Sequence, residues 1–345
     1  MLETSDQITQ SKKPPGLSRR EMLGAGAAIV LGGGLAATLR FSAHNEGGLR
    51  SDVFIGAAEG YGPDLDALLT SGLAELGVAS QHVRGKRVLL KPNLVETARG
   101  EHHINTSPPL VLAAVEAFRR MDAFEVLVAE GQGHQRDSQI VLDESGMGKA
   151  LREAKVRFVD LNHDDCTPVP NKGRWSKLNP LYLPQTLLSA DVIVSMPKLK
   201  THHWAGMTCA MKNLFGVMPG IAYGWPKNVL HYAGIAESIL DINATVRPTL
   251  AIVDAVVCME GDGPIMGTPK PLNCVVMGRN LPAVDATCAR LMKFNPYAMK
   301  YIERASAYLG PVHEWNITQR GENIARFATK FRILDEPHLA AVAAG

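Results

Sequence analysis

Six short runs of Val, Ile and Leu, spaced by longer stretches of helical periodicity, restrict the folds open to this chain more than any other feature. The runs lie at 87–91, 125–129, 156–161, 191–196, 249–254 and 273–277. They are almost continuously apolar, which is the pattern of strands covered on both faces rather than of strands with one wet face. Stretches at 109–120, 147–154, 233–245, 282–293 and 297–308 carry helical spacing. Asn105-Thr106-Ser107-Pro108 places capping residues and a proline ahead of the first helix. The alternation predicts an α/β fold, with a mostly parallel central sheet and helices on both faces, in a single elaborated domain. The segment 164–184, rich in Pro, Asn and Lys, is expected to be an irregular excursion from it.

Composition narrows the function classes. The chain has 345 residues, 46% hydrophobic and 20% charged, with a formal net charge of +2. It has ample apolar material for a core and no Lys/Arg block with interleaved aromatics, so no nucleic-acid partner is expected. The five cysteines, Cys166, Cys209, Cys258, Cys274 and Cys288, include no C-x-x-C pair. No iron–sulfur cluster is expected from such spacing, and an odd count does not make a complete disulfide framework.

The N-terminal stretch has a separate character. Ser18-Arg19-Arg20-Glu21-Met22-Leu23 precedes an uncharged run rich in Gly, Ala and Leu that ends near Leu39. This resembles a twin-arginine (Tat) export signal, with Lys12 and Lys13 in its basic part. Residues 1–45 are then a signal peptide or N-terminal anchor, and 46–345 the α/β domain. The resemblance implies the Tat translocase as a partner and the periplasm or cell envelope as the destination. Phe41-Ser42-Ala43 only partly meets the small-x-small cleavage rule, so an uncleaved membrane anchor stays open, as does a buried Gly/Ala-rich helix.

Ligands of open α/β sheets bind beyond the carboxyl ends of the strands, so polar residues just after the apolar runs are the site candidates. Lys91 and Asn93 follow the first run, and Lys198, Lys200, Thr201 and His202 follow the fourth. In an extended chain Lys198 and Lys200 project to one face, as an anion clamp. Lys212 and Asn213 add a cation and an amide. Catalytic roles fall to Lys198, Lys200, His202 and Glu260, and ligand binding to Lys91, Asn93, Thr201, Lys212 and Asn213. His103, His202 and His231 with Asp254 form a candidate set for a divalent metal, because imidazole and carboxylate suit zinc, nickel or iron. The alternative is that these histidines are hydrogen-bonded loop or core residues. Gly131 and Gly133 read as a tight loop rather than a phosphate cradle, Asp262 as turn chemistry, and Asp285 as a favourable charge near its own helix N-terminus. Phe215, Met218, Tyr223 and Trp225 read as pocket cover or core.

Four segments then occur in order: Pro197-Lys198-Leu199-Lys200-Thr201-His202, Lys212-Asn213-Leu214-Phe215-Gly216, Gly261-Asp262-Gly263-Pro264 and Ala283-Val284-Asp285. Together they resemble the DUF362 family over roughly 53–293. The resemblance implies a fold and a site region, with no reaction attached. Many relatives carry a cysteine-rich, ferredoxin-like segment, and the cysteines here show no such clustering. The expectation is an exported protein acting on a small carboxylate or phosphate in a Lys/His/Asn-rich pocket, with a divalent metal. Its alternative is a non-catalytic metal- or ligand-binding protein of the cell envelope.

Overall fold

The computed structural model describes residues 49–97, 99–133 and 137–344, so the twin-arginine stretch and His134 lie outside the described residues. The strands are β1 (Ser51–Ala57), β2 (Arg87–Pro92), β3 (Glu125–Glu130), β4 (Arg157–Asp160), β5 (Cys166–Val169), β6 (Leu181–Pro184), β7 (Val192–Met196), β8 (Lys198–His202), β9 (Gly206–Thr208), β10 (Leu250–Glu260), β11 (Thr268–Gly278) and β12 (Ile317–Gly321). The main sheet runs β12-β1-β11-β10-β7-β2-β3-β4, with β8 paired to β10 and to β9. Neighbours from β10 through β7, β2 and β3 to β4 are parallel, whereas β11 runs antiparallel between β1 and β10. The largely parallel α/β architecture is therefore the observed one.

The continuous apolar runs are explained by two cores, one on each sheet face. Successive side chains of a strand point to opposite faces. Val88 and Leu90 accordingly join one buried cluster and Leu89 the other, and β10 divides the same way, Ile252 against Ala251 and Val253. Helix Pro108–Arg120 buries Leu110, Val111, Ala114, Val115 and Phe118, which repeat at helical spacing on one stripe.

Several expectations are revised. β10 and β11 each have 11 residues and form one long hairpin, because pairing continues through the polar and proline-containing stretch that lacks an apolar signal. The excursion 164–184 contains the two-stranded β5–β6 sheet. The residues proposed to cap the first helix do other work. Thr106 Oγ1 donates to Met196 O and accepts from Asn93 N, and Asn105 Oδ1 accepts from Val95 N. These bonds tie the loop after β2 to the end of β7. The stretch 297–308 is a 3₁₀ turn followed by the short helix Lys300–Ala305. Cys209, Cys258, Cys274 and Cys288 are free and buried. Among the described residues no helix is long and apolar enough to cross a membrane.

Candidate functional site

The parallel strands β2 and β7 pair in register from Val88↔Val192 to Pro92↔Met196, and Leu90 pairs with Val128 of β3. This brings Lys91, Asn93 and Glu130 to one edge of the sheet. The chain after β8 and β9 folds over that edge as helix Ala210–Asn213, and helix Asn228–Tyr232 follows it. Between them is a cavity of about 210 Å³. Four lysines line it, Lys91, Lys200, Lys212 and Lys227, together with His202, His203 and His231 and a single carboxylate, Glu130.

Lys91 and Glu130 form a closed pair. Their Nζ and Oε2 atoms are 2.6 Å apart, and both side chains are almost fully buried. Lys91 also donates to Asn213 Oδ1, and the Asn213 amide donates back to Lys91 O and to Ser195 Oγ. The carboxylate further accepts from Leu94 N and Gly131 N. Gly216 leaves room for this pair: a Cβ there would lie 1.9 Å from Glu130 Oε1 and 2.5 Å from Lys91 Nζ. Among the described residues the other three ammonium groups form no ion pair with a carboxylate. Burial, then Lys198 and Lys212, hold the Lys200 ammonium well below its ordinary range. Burial and Lys91 bring Lys212 down to about 7, and burial brings Lys227 to about 7.

The histidines take complementary roles. His202 Nδ1 accepts from Trp204 N and Ala205 N, so its ring proton sits on Nε2. Burial, then Lys212, keeps it neutral well below the usual histidine range. His203 Nδ1 meets Gly263 O and His231 Nδ1 meets Lys227 O, bonds that assign those protons to Nδ1 and leave Nε2 as an acceptor. Adjacent histidines would diverge in a continued strand, but β8 ends at His202 and the chain turns, so both rings reach the cavity with centroids 4.9 Å apart.

The comparisons with known proteins agree with the order of motifs. The model of the domain of unknown function DUF362 matches residues 88–290. This chain belongs to the DUF362 family. A thylakoid-associated protein of Synechocystis sp. is 27% identical to it over 246 residues, 67% of this chain and 70% of its relative. The lactate racemase apoprotein from Thermoanaerobacterium thermosaccharolyticum, a solved structure, aligns over 71% of this chain at 14% identity with a TM-score of 0.44. The chain spans 58% of that protein's length.

Within this DUF362 domain, the site residues named from sequence separate into two groups. Lys91, Asn93, Lys200, His202, Lys212, Asn213 and His231 line the cavity. Lys198 does not: its Nζ is 2.6 Å from Asp254 Oδ2 with both side chains fully buried, so the two-lysine clamp is divided. Thr201 Oγ1 donates to Gly261 O, Glu260 accepts from Arg332 N and Nε, and His103 pairs with Glu101, all outside the cavity lining. His103 and Asp254 therefore do not line the cavity with His202 and His231. No group of three or more His, Cys, Asp or Glu side chains arranged to hold a metal occurs among the described residues.

Glu130 follows the second apolar run as Lys91 follows the first, a position that marks it for the rim but assigns it no role; Lys227 is a site residue that the sequence alone does not indicate. Its Nζ reaches Asn162 Oδ1 and Met218 O through a positive φ of 67° in an irregular segment. Asp285 is also corrected. It lies inside helix Leu281–Leu291, fully buried, and accepts from Met211 N at 3.2 Å. It therefore holds the start of helix Ala210–Asn213, which carries Lys212 and Asn213. Burial raises the Asp285 carboxyl to about 7. A folded pKa above the unfolded one means stability present at low pH and lost as pH rises, here between about 4 and 7. Relative to Asp285→Asn, the parent should lose about 4 kcal/mol across that window. Urea unfolding of both proteins at pH 4.5 and pH 8 checks this, and parallel profiles would refute it.

Proposed function

We propose that the cavity binds a small anion bearing a carboxylate or phosphate, and that this is the working site of the domain. One observation carries the reading: four buried or half-buried lysines share a cavity with one carboxylate, and that carboxylate is already committed to Lys91. Desolvated ammonium groups are costly without a counter-charge, and an anion seated among Lys200, Lys212 and Lys227 compensates them. His202 Nε2–H and the Asn93 amide suit the remaining oxygen atoms, while Asn213, whose two N–H groups donate to Lys91 O and Ser195 Oγ, holds the Lys91 ammonium in place.

Calorimetric titration with acetate and with inorganic phosphate tests the reading. Lys200→Met should weaken binding about 10- to 100-fold, the worth of one charge-assisted hydrogen bond. The pH dependence has a definite sign. Lys212 and Lys227 lose their charge as pH rises through about 7, so affinity should be greatest below that value and fall above it. If neither anion binds, or the Lys200 variant binds like the parent, the reading fails.

A further inference from the structure

Three of the four cavity lysines are committed to acceptors. Lys91 donates to Glu130, Pro92 O and Asn213, Lys200 to Ile104 O at 2.8 Å, and Lys227 to Asn162 and Met218 O. Lys212 differs. Among the described residues no hydrogen-bond acceptor engages its Nζ, which instead stands 4.0 Å from the centroid of the Phe215 ring. The amine is therefore neither tethered nor neutralised. It shares the cavity with other cations, with one histidine that offers a proton at Nε2 and with two that offer lone pairs there.

An unbonded lysine on an apolar wall beside other cations is the arrangement that makes an amine nucleophilic. We propose that Lys212 is a nucleophile that condenses with the carbonyl carbon of a small anionic carbonyl compound, a 2-oxo acid or an aldehyde acid, to form an imine. The proposal rests on the reading of the cavity as an anion site, with Lys200 and Lys227 holding the carboxylate. The Nζ lone pair attacks the carbonyl carbon, and the π pair of the C=O bond moves to oxygen, which is protonated. The nitrogen loses a proton to a histidine Nε2. The resulting carbinolamine then expels its hydroxyl group, which takes the proton held on the histidine and leaves as water while the nitrogen lone pair completes the C=N bond as an iminium. Loss of the remaining N–H proton, which replaces the one first given to the carbonyl oxygen, yields the neutral imine. Both hydrogens of the water correspond to the two lost by the neutral amine, so no oxidant or reductant enters. The depressed basicity of Lys212, caused by burial and Lys91, supplies free amine near neutral pH.

The test traps the imine on the full-length protein. Pyruvate or glyoxylate is added with sodium cyanoborohydride, and the reduced adduct is mapped by proteolysis and mass spectrometry. Lys212 should be labelled roughly tenfold or more over the exposed Lys149 and Lys177. Acetate should suppress the labelling and Lys212→Met should abolish it. Since the site is mapped on the parent, the result does not depend on a variant folding. Binding of pyruvate with label spread evenly over exposed lysines would overturn the imine and leave the anion reading standing. If Lys212 is labelled equally by neutral acetaldehyde and acetate has no effect, the anionic class is overturned. Absence of binding by any of these anions would overturn both.

Discussion

Replacing Lys198 with Met should lower the stability of the fold by about 3–5 kcal/mol, the usual cost of stranding a buried charge. Lys198 and Asp254 meet at 2.6 Å with neither side chain exposed. Tyr61 OH donates to Asp254 Oδ1, and Ser107 N donates to Oδ2. Lys198 reaches Val257 O as well. Without the ammonium the carboxylate keeps only dipolar partners in a desolvated place. The Lys198→Met/Asp254→Asn double variant should recover much of the loss, because no uncompensated charge then remains. Lys198 does not line the cavity, so acetate affinity of the folded variant should stay within about threefold of the parent. Denaturant unfolding paired with calorimetry separates the two effects. A variant as stable as the parent, or one that loses affinity as Lys200→Met does, would contradict this assignment.

Glu130→Gln should be comparably damaging, again about 3–5 kcal/mol, and here stability and binding should fall together. The carboxylate accepts from Lys91 Nζ, Leu94 N and Gly131 N, so it joins the end of β2, the loop after it and the turn after β3. A neutral amide cannot balance the buried Lys91. Pairing Glu130→Gln with Lys91→Met should restore part of the stability but not the ordered Asn213, which depends on Lys91 Nζ for one of its bonds. Gly216→Ala offers an independent check on the same pair, since its methyl group would occupy the space of Glu130 Oε1. Thermal unfolding of the three variants measures these effects. A Gly216→Ala protein as stable as the parent would show that the pair has slack the geometry denies.

Much of the site was legible because parallel strands place their carboxyl ends on one rim. Lys91 and Asn93 after one apolar run, and Lys200 and His202 after another, are brought together on that principle alone. Lys212 and Asn213 were legible through the family motif. The partition of charges was not. Lys198 and Lys200 are equivalent by spacing, yet the register Asp254↔Lys198 gives one of them a carboxylate and leaves the other at the cavity. Asp285 looked like ordinary helix-terminal chemistry, and only the packing of its helix beneath Met211 shows what it holds.

The sequence by itself determined the α/β class, the buried strands and the family, because apolar periodicity and motif order are properties of short stretches and follow from local geometry. Only the tertiary structure decided which charges neutralise one another. The partners Lys91 and Glu130 lie 39 residues apart and Lys227 and Asn162 lie 65 apart. Whether an ammonium ends beside a carboxylate, a carbonyl or a ring depends on strand register and loop packing, and no local pattern encodes those distances.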